Sequence, residues 1–108
     1  MDREYWVYIV ASRSGTLYIG MTNNVERRVW EHKNGVFEGF SSQYHCDRLV
    51  YLEGFDDVQS AIDREKQLKG WRRSKEINLI ETQNPRWCDF AEKWGAKMIF
   101  AGESIADQ

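Results

Sequence analysis

Residues 5–10, Tyr-Trp-Val-Tyr-Ile-Val, are apolar or aromatic on both alternating faces. A run so short and so rich in aromatic and β-branched residues predicts a strand covered on both sides. Ser12-Arg13-Ser14-Gly15 is a turn cluster, and Leu17 to Met21 reads as a second strand. The short connection makes the two an antiparallel hairpin. Beyond Met21 the period changes. Asn23 is a suitable N-cap with Glu26 three residues later, and the helix it opens ends near Asn34-Gly35, where Gly35 can take the left-handed position. Residues 36–47 are polar and glycine-containing and read as a loop. Arg48 to Phe55 predicts a third strand. Asp56 is the expected cap of a second helix running to Lys69-Gly70, and Ser74 that of a third, running to about Thr82. Pro85 forbids its continuation. The order strand, strand, helix, strand, helix, helix predicts an α+β fold: a small three-stranded, mostly antiparallel sheet flanked by helices.

Placing the first helix on a wheel singles out two polar residues. With Val25 at 0°, Val29 falls at about 40°, His32 at about 340° and Arg28 at about 300°, while Arg27 falls at about 200°. Arg28 and His32 therefore border the stripe that faces the sheet, and Arg27 points away. Either residue alone reads as a stripe edge covering apolar surface. Together, just after the strand end Tyr18-Ile19-Gly20, they can place a guanidinium, an imidazole and a phenol around one phosphate. On the second helix, with Val58 at 0°, Glu65 falls at about 340°, inside the stripe formed by Ala61, Ile62 and Leu68. A carboxylate there must be partnered. Lys69, one turn on, offers an i,i+4 ion pair. The functional alternative is a hard cation, because Mg²⁺ is often held by one or two protein carboxylates, with water and phosphate completing its shell. Tyr8 and Tyr18 lie on adjacent strands of the hairpin. Each suits a packed phenol, and each could serve as a general base beside positive charge. Gly20 can relieve crowding or let a phosphate approach the backbone.

Length and charge narrow these readings. A chain of 108 residues is one domain with room for a core. We expect a domain over residues 1–90 and a C-terminal tail, 91–108, weakly structured or docked on the domain, with Trp87, Phe90 and Trp94 as the residues that dock on the body. The formal net charge of −2 argues against a whole-protein attraction to nucleic acid. It is unevenly spread, however. Residues 61–75 carry +4 and the remainder −6, so the cations Lys66, Lys69, Arg72, Arg73 and Lys75 form a local basic patch. Cys46 and Cys88 show no zinc or disulfide spacing, and His45-Cys46 lacks a spaced partner pair. Free thiols fit a reducing, cytoplasmic setting. No run reads as a signal peptide or a membrane span.

These residues, in this order, resemble the GIY-YIG nuclease superfamily, and within it the small stand-alone bacterial excinuclease-like members. The first motif corresponds to Trp6-Val7-Tyr8, with Trp6 where the family name has Gly, and the second to Tyr18-Ile19-Gly20. The helix pattern matches at Thr22, Asn23, Arg28 and His32. The metal-binding acid matches Glu65 in Arg64-Glu65-Lys66-Gln67-Leu68-Lys69. Lys69-Gly70-Trp71-Arg72-Arg73, Leu79-Ile80 and Asn84-Pro85-x-Trp87 are similar to the stand-alone subfamily. The resemblance implies a DNA endonuclease in which water attacks the phosphodiester directly with one Mg²⁺ (or Mn²⁺) held by Glu65. It also implies charge stabilisation by Arg28, proton transfer by Tyr8 or Tyr18 with His32 relaying, and a late site residue at Asn84. Structure-selective cleavage linked to repair or recombination follows from the same likeness. Gly20, Thr22 and the basic patch would contact nucleic acid, with Trp71 stacking on a base. With no further DNA-binding module in this sequence, a partner protein that delivers substrate is expected. The alternative is a nucleic-acid- or partner-binding module that keeps the fold without turnover.

Overall fold

A computed structural model describes residues 3–36 and 45–92. The elements are β1 (Tyr5–Ala11), β2 (Leu17–Thr22), α1 (Val25–Lys33), β3 (Arg48–Phe55), α2 (Val58–Lys69) and α3 (Arg73–Gln83). The strands form one antiparallel sheet in the order β2-β1-β3. Strand β1 is therefore central, as its two apolar faces predict. The α+β class and the order of elements are those expected. The central part of the 36–47 loop, together with Trp94 and most of the 91–108 tail, lies outside the described residues.

Alternation along β1 divides the interior in two. Val7, Ile9 and Ala11 point to one face, where they meet Ala61 and Leu68 of α2 and Ile80 of α3. Tyr8 and Val10 point to the other, against Val25 and Val29 of α1, with Leu49, Cys46 and Ala91. The two faces thus present α1 and α2 on opposite sides of one sheet. In β3 the register slips: Ile9 pairs with Tyr51 and Val10 with Leu49. Val50 is the extra residue of this bulge, and its carbonyl accepts from the Asn84 side chain at 3.1 Å.

The helix starts differ from expectation by short steps with local causes. Asn24, not Asn23, caps α1, its side chain accepting from Arg27 N. The Thr22 hydroxyl accepts from Asn24 N at 3.0 Å and extends the turn by one residue. Asp57, not Asp56, caps α2, where its carboxylate accepts from both the backbone N–H and the hydroxyl of Ser60. Arg72, not Ser74, occupies the N-cap of α3, with no side-chain bond. Gly35 follows α1 at φ +65°, the left-handed ending its sequence position implies.

Candidate active site

The polar cluster lies on the α1 face. Tyr8 stands opposite Gly20 in the β1–β2 ladder, and its ring lies across that glycine. A methyl group at Gly20 would come within 2.5 Å of the Tyr8 Cζ and closer still to the hydroxyl. The glycine is thus required by the close approach of a side chain. Having crossed β2, the Tyr8 hydroxyl meets His32 Nε2 at 2.9 Å. The Tyr18 ring lies 5.2 Å from the His32 ring and 6.5 Å from that of Tyr8, between centroids. Arg28 donates from Nη1 to the Met21 carbonyl at 3.3 Å and pairs through Nε with Glu31 at 3.2 Å. Its guanidinium also acts on the Tyr8 hydroxyl, favouring the ionised phenol. Arg27 is exposed, as the wheel requires.

Burial decides the charge states. Tyr8 has no exposed surface, and desolvation holds its phenol well above the usual tyrosine range. Arg28 opposes that rise, and Tyr18 and Glu65 add to it. His32 is pulled down to about 4, by burial first and by the Arg28 charge second. At neutral pH the pair is an uncharged phenol and an uncharged imidazole sharing one proton between oxygen and nitrogen. Arg28 is then the only formal charge among the three.

Glu65 comes from α2, on the other side of the sheet, yet its carboxylate is among the charges felt by the Tyr8 phenol. Its side chain is 22% exposed, and Oε2 pairs with Lys69 Nζ at 3.1 Å. Position 65 is thus paired with Lys69, and its charge adds weakly to the rise of the Tyr8 phenol. Among the described residues no three His, Cys, Asp or Glu side chains converge as a metal cage. The Glu65 carboxylate is the donor type that suits a hard cation completing its shell with water and phosphate.

Asn84 bonds to β3 and to the turn after α3. It caps α3 and is buried. Its amide donates to the Val50 and Cys88 carbonyls, and its oxygen accepts from Cys88 N. All of these bonds serve the bulge in β3 and the turn after α3. Thr22 is likewise engaged in the turn before α1. In the basic patch Lys66 and Arg72 are exposed, and Arg73 donates to the Gly15 carbonyl in the hairpin turn. The ring of Trp71 has Lys75 at 4.3 Å and Arg64 at 5.4 Å. It gathers two cations around one aromatic ring. Two site contacts escaped the sequence reading. Glu31 as the partner of Arg28 was available from its i,i+3 spacing; the Met21 carbonyl, a backbone group, carries no sequence signal.

The sheet thus carries paired phenols, with an arginine and an imidazole on one helix and an acid on another. The GIY-YIG catalytic domain matches residues 4–78, and the chain belongs to the GIY-YIG nuclease family. It is 36% identical over 80 residues to a UPF0213 protein of Staphylococcus saprophyticus, covering 74% of this chain and 96% of that one. A UPF0213 protein of Natronomonas pharaonis is also 36% identical over 80 residues, covering 74% and 94%. Among solved structures, the solution NMR structure of a UPF0213 protein from Bacillus halodurans superimposes with a TM-score of 0.52 at 26% identity. That likeness covers 77% of this chain and 88% of the other. Among the described residues no helix is long and apolar enough to cross a membrane.

Proposed function

We propose that this protein is a divalent-metal-dependent endonuclease that hydrolyses DNA phosphodiester bonds by single-metal attack of water. The observation that carries the reading is the buried, uncharged Tyr8–His32 pair bonded at 2.9 Å, with Arg28 beside it and the Glu65 carboxylate within its field. Glu65 would hold Mg²⁺ or Mn²⁺. Such an ion supplies charge stabilisation on the phosphate and on the departing oxygen.

The chain's own groups divide the remaining work. Arg28, anchored on Met21 O and Glu31, offers its guanidinium to the phosphate as charge builds up there. Tyr18 takes the proton of the attacking water. It is half-buried, whereas Tyr8 has no exposed surface and its hydroxyl is engaged. Tyr18 acts in this step as the phenolate, its own proton having passed to solvent. Tyr8 and His32 hold Arg28 and Tyr18 in place. Gly20 lets Tyr8 cross β2. Lys66, Lys69, Arg72, Arg73 and Lys75 contact the phosphate backbone, with Trp71 steadying Lys75, so affinity falls with salt. Structure-selective cleavage in repair or recombination, in the cytoplasm and with a partner that delivers substrate, is the setting that suits a small nuclease unit whose two cysteines show no disulfide spacing.

The test is nicking of branched, flapped, single-stranded and duplex DNA with Mg²⁺ or Mn²⁺. Glu65→Gln should lower the rate by about a thousandfold and Arg28→Ala by at least about a hundredfold, both with unchanged circular dichroism. Cleavage that persists in Glu65→Gln rejects the metal role. Salt-sensitive DNA binding with no cleavage under either ion replaces the enzyme with a binding module.

A further inference from the structure

The carboxylate assigned to the cation already has a partner. Glu65 Oε2 and Lys69 Nζ are 3.1 Å apart, one helical turn from each other. The two ends of this pair are unequal. The Glu65 side chain is 22% exposed and the Lys69 side chain 53% exposed, so the lysine has room to move and the carboxylate has little. Lys69 also sits in the last turn of α2, followed directly by Gly70, Trp71, Arg72 and Arg73, the start of the basic patch. A lysine with its stem in this place has two acceptors within reach: the carboxylate before it on the helix, and any phosphate drawn to the cations after it. A surface i,i+4 pair is weak, and a phosphodiester backbone competes well for an ammonium.

We propose that Lys69 gates Glu65: its ammonium occupies the carboxylate until a nucleic-acid phosphate draws it away, so that the divalent cation and the nucleic acid bind cooperatively. The inference rests on the reading of Glu65 as the metal carboxylate. Its physical content is linkage. A cation arriving at Glu65 without nucleic acid must displace Lys69 and then sit beside its charge, whereas a cation arriving with the strand in place finds the lysine already on a phosphate. By reciprocity the cation tightens nucleic-acid binding by the same factor. The device withholds the ion from the enzyme until substrate is present.

The experiment is a titration of Mn²⁺ followed by electron spin resonance of the free ion, with and without a short DNA duplex. The full chain is used in a Tyr18→Phe background, so that the DNA stays intact. In that background the duplex should tighten Mn²⁺ binding by about fivefold or more. Adding Lys69→Met should tighten Mn²⁺ binding several-fold without DNA and leave it nearly unchanged with DNA, so the enhancement shrinks to the part that a phosphate ligand itself supplies. Lys69→Arg should keep the enhancement. A gain in Lys69→Met that is equal with and without DNA reflects only lost repulsion and overturns the gate. So does an unchanged enhancement. Adding Glu65→Gln separates the two levels. If Mn²⁺ binding survives that substitution, or if no variant binds Mn²⁺ even with DNA, the metal assignment fails and the gate with it. If binding is lost in Glu65→Gln but insensitive to Lys69, the metal assignment stands and the gate alone is wrong.

Discussion

The two edges of the sheet are finished in different ways. Along β3, the chain that follows α3 folds back and uses its polar groups on the strand's backbone. Gln83 both accepts from Leu52 N and donates to Leu52 O. Asp89 accepts from Leu49 N, and Phe90 N donates to Leu49 O. Asn84 satisfies the Val50 carbonyl. Lys33, at the end of α1, is held to the same segment by Asp89 at 2.5 Å. Along β2 the polar side chains bond mainly to one another. Tyr8 crosses Gly20 to reach His32, and Arg28 uses one backbone carbonyl, Met21 O, as an anchor. Covering an edge protects it from pairing with another chain, and it consumes the groups that do so. The β2 side keeps the half-buried Arg28 guanidinium and Tyr18 phenol at the surface, beside a Tyr8–His32 pair that is buried.

Several substitutions would break or sharpen this contrast. The largest effect is expected at Gly20. Gly20→Ala forces the Tyr8 ring off β2 and should lower cleavage by at least about a hundredfold through misplacement of the cluster. Overpacking should also cost about 1–3 kcal/mol, read from urea unfolding. Normal cleavage in this variant would mean that the crossing of Tyr8 does not matter. On the other edge, Asn84→Ala strips partners from the Val50 and Cys88 backbone groups and should cost about 2–3 kcal/mol. The nicking rate per folded molecule should stay within about twofold. A large rate loss at unchanged stability would return Asn84 to the site.

A smaller effect follows from the neutral pair. An unfolded His32 takes up its proton near pH 6.5, while the folded one resists until about 4. Its contribution is therefore intact above pH 6.5 and is lost as the pH falls to 4, by on the order of 2 kcal/mol. His32→Gln should flatten the pH dependence of the urea midpoint across that window; an unaltered slope would place the titration elsewhere. Smallest is Trp71→Leu, which releases Lys75. The salt slope of DNA binding should drop by about one, with only a few-fold loss at low salt. A collapse of binding to single strands alone would favour base stacking instead.

The parts of this molecule that were legible in its sequence are those set by local period. The range of β3 and the alternation of β1 follow from side-chain pattern, as does the inward turn of Arg28 and His32. Cap positions were less legible, because Asn23-Asn24 and Asp56-Asp57 each offer two adjacent caps of equal chemistry. The choice falls to neighbours: Thr22 bonds to Asn24, and Ser60 gives Asp57 two donors. The bonds of Asn84 were illegible for a related reason. An amide near a helix end suits a site and a bulge equally well, and the bulge in β3 is a property of strand pairing that no local pattern announces. Trp71 could stack on a base or collect cations, and only the positions of Arg64 and Lys75 distinguish the two.

By itself the sequence determined the hairpin, the three helices, the one-turn spacing of Arg28 and His32 and the apolar position of Glu65, because each depends on residues within a turn or two of one another. Tertiary structure alone decided that Tyr8 meets His32 across 24 residues of chain, that Gly20 must give way to a phenol, and that an acid on one face of the sheet is felt by a tyrosine on the other. Those meetings depend on strand register and on which side of the sheet each helix packs, and both are settled by burial of the whole core rather than by any single segment.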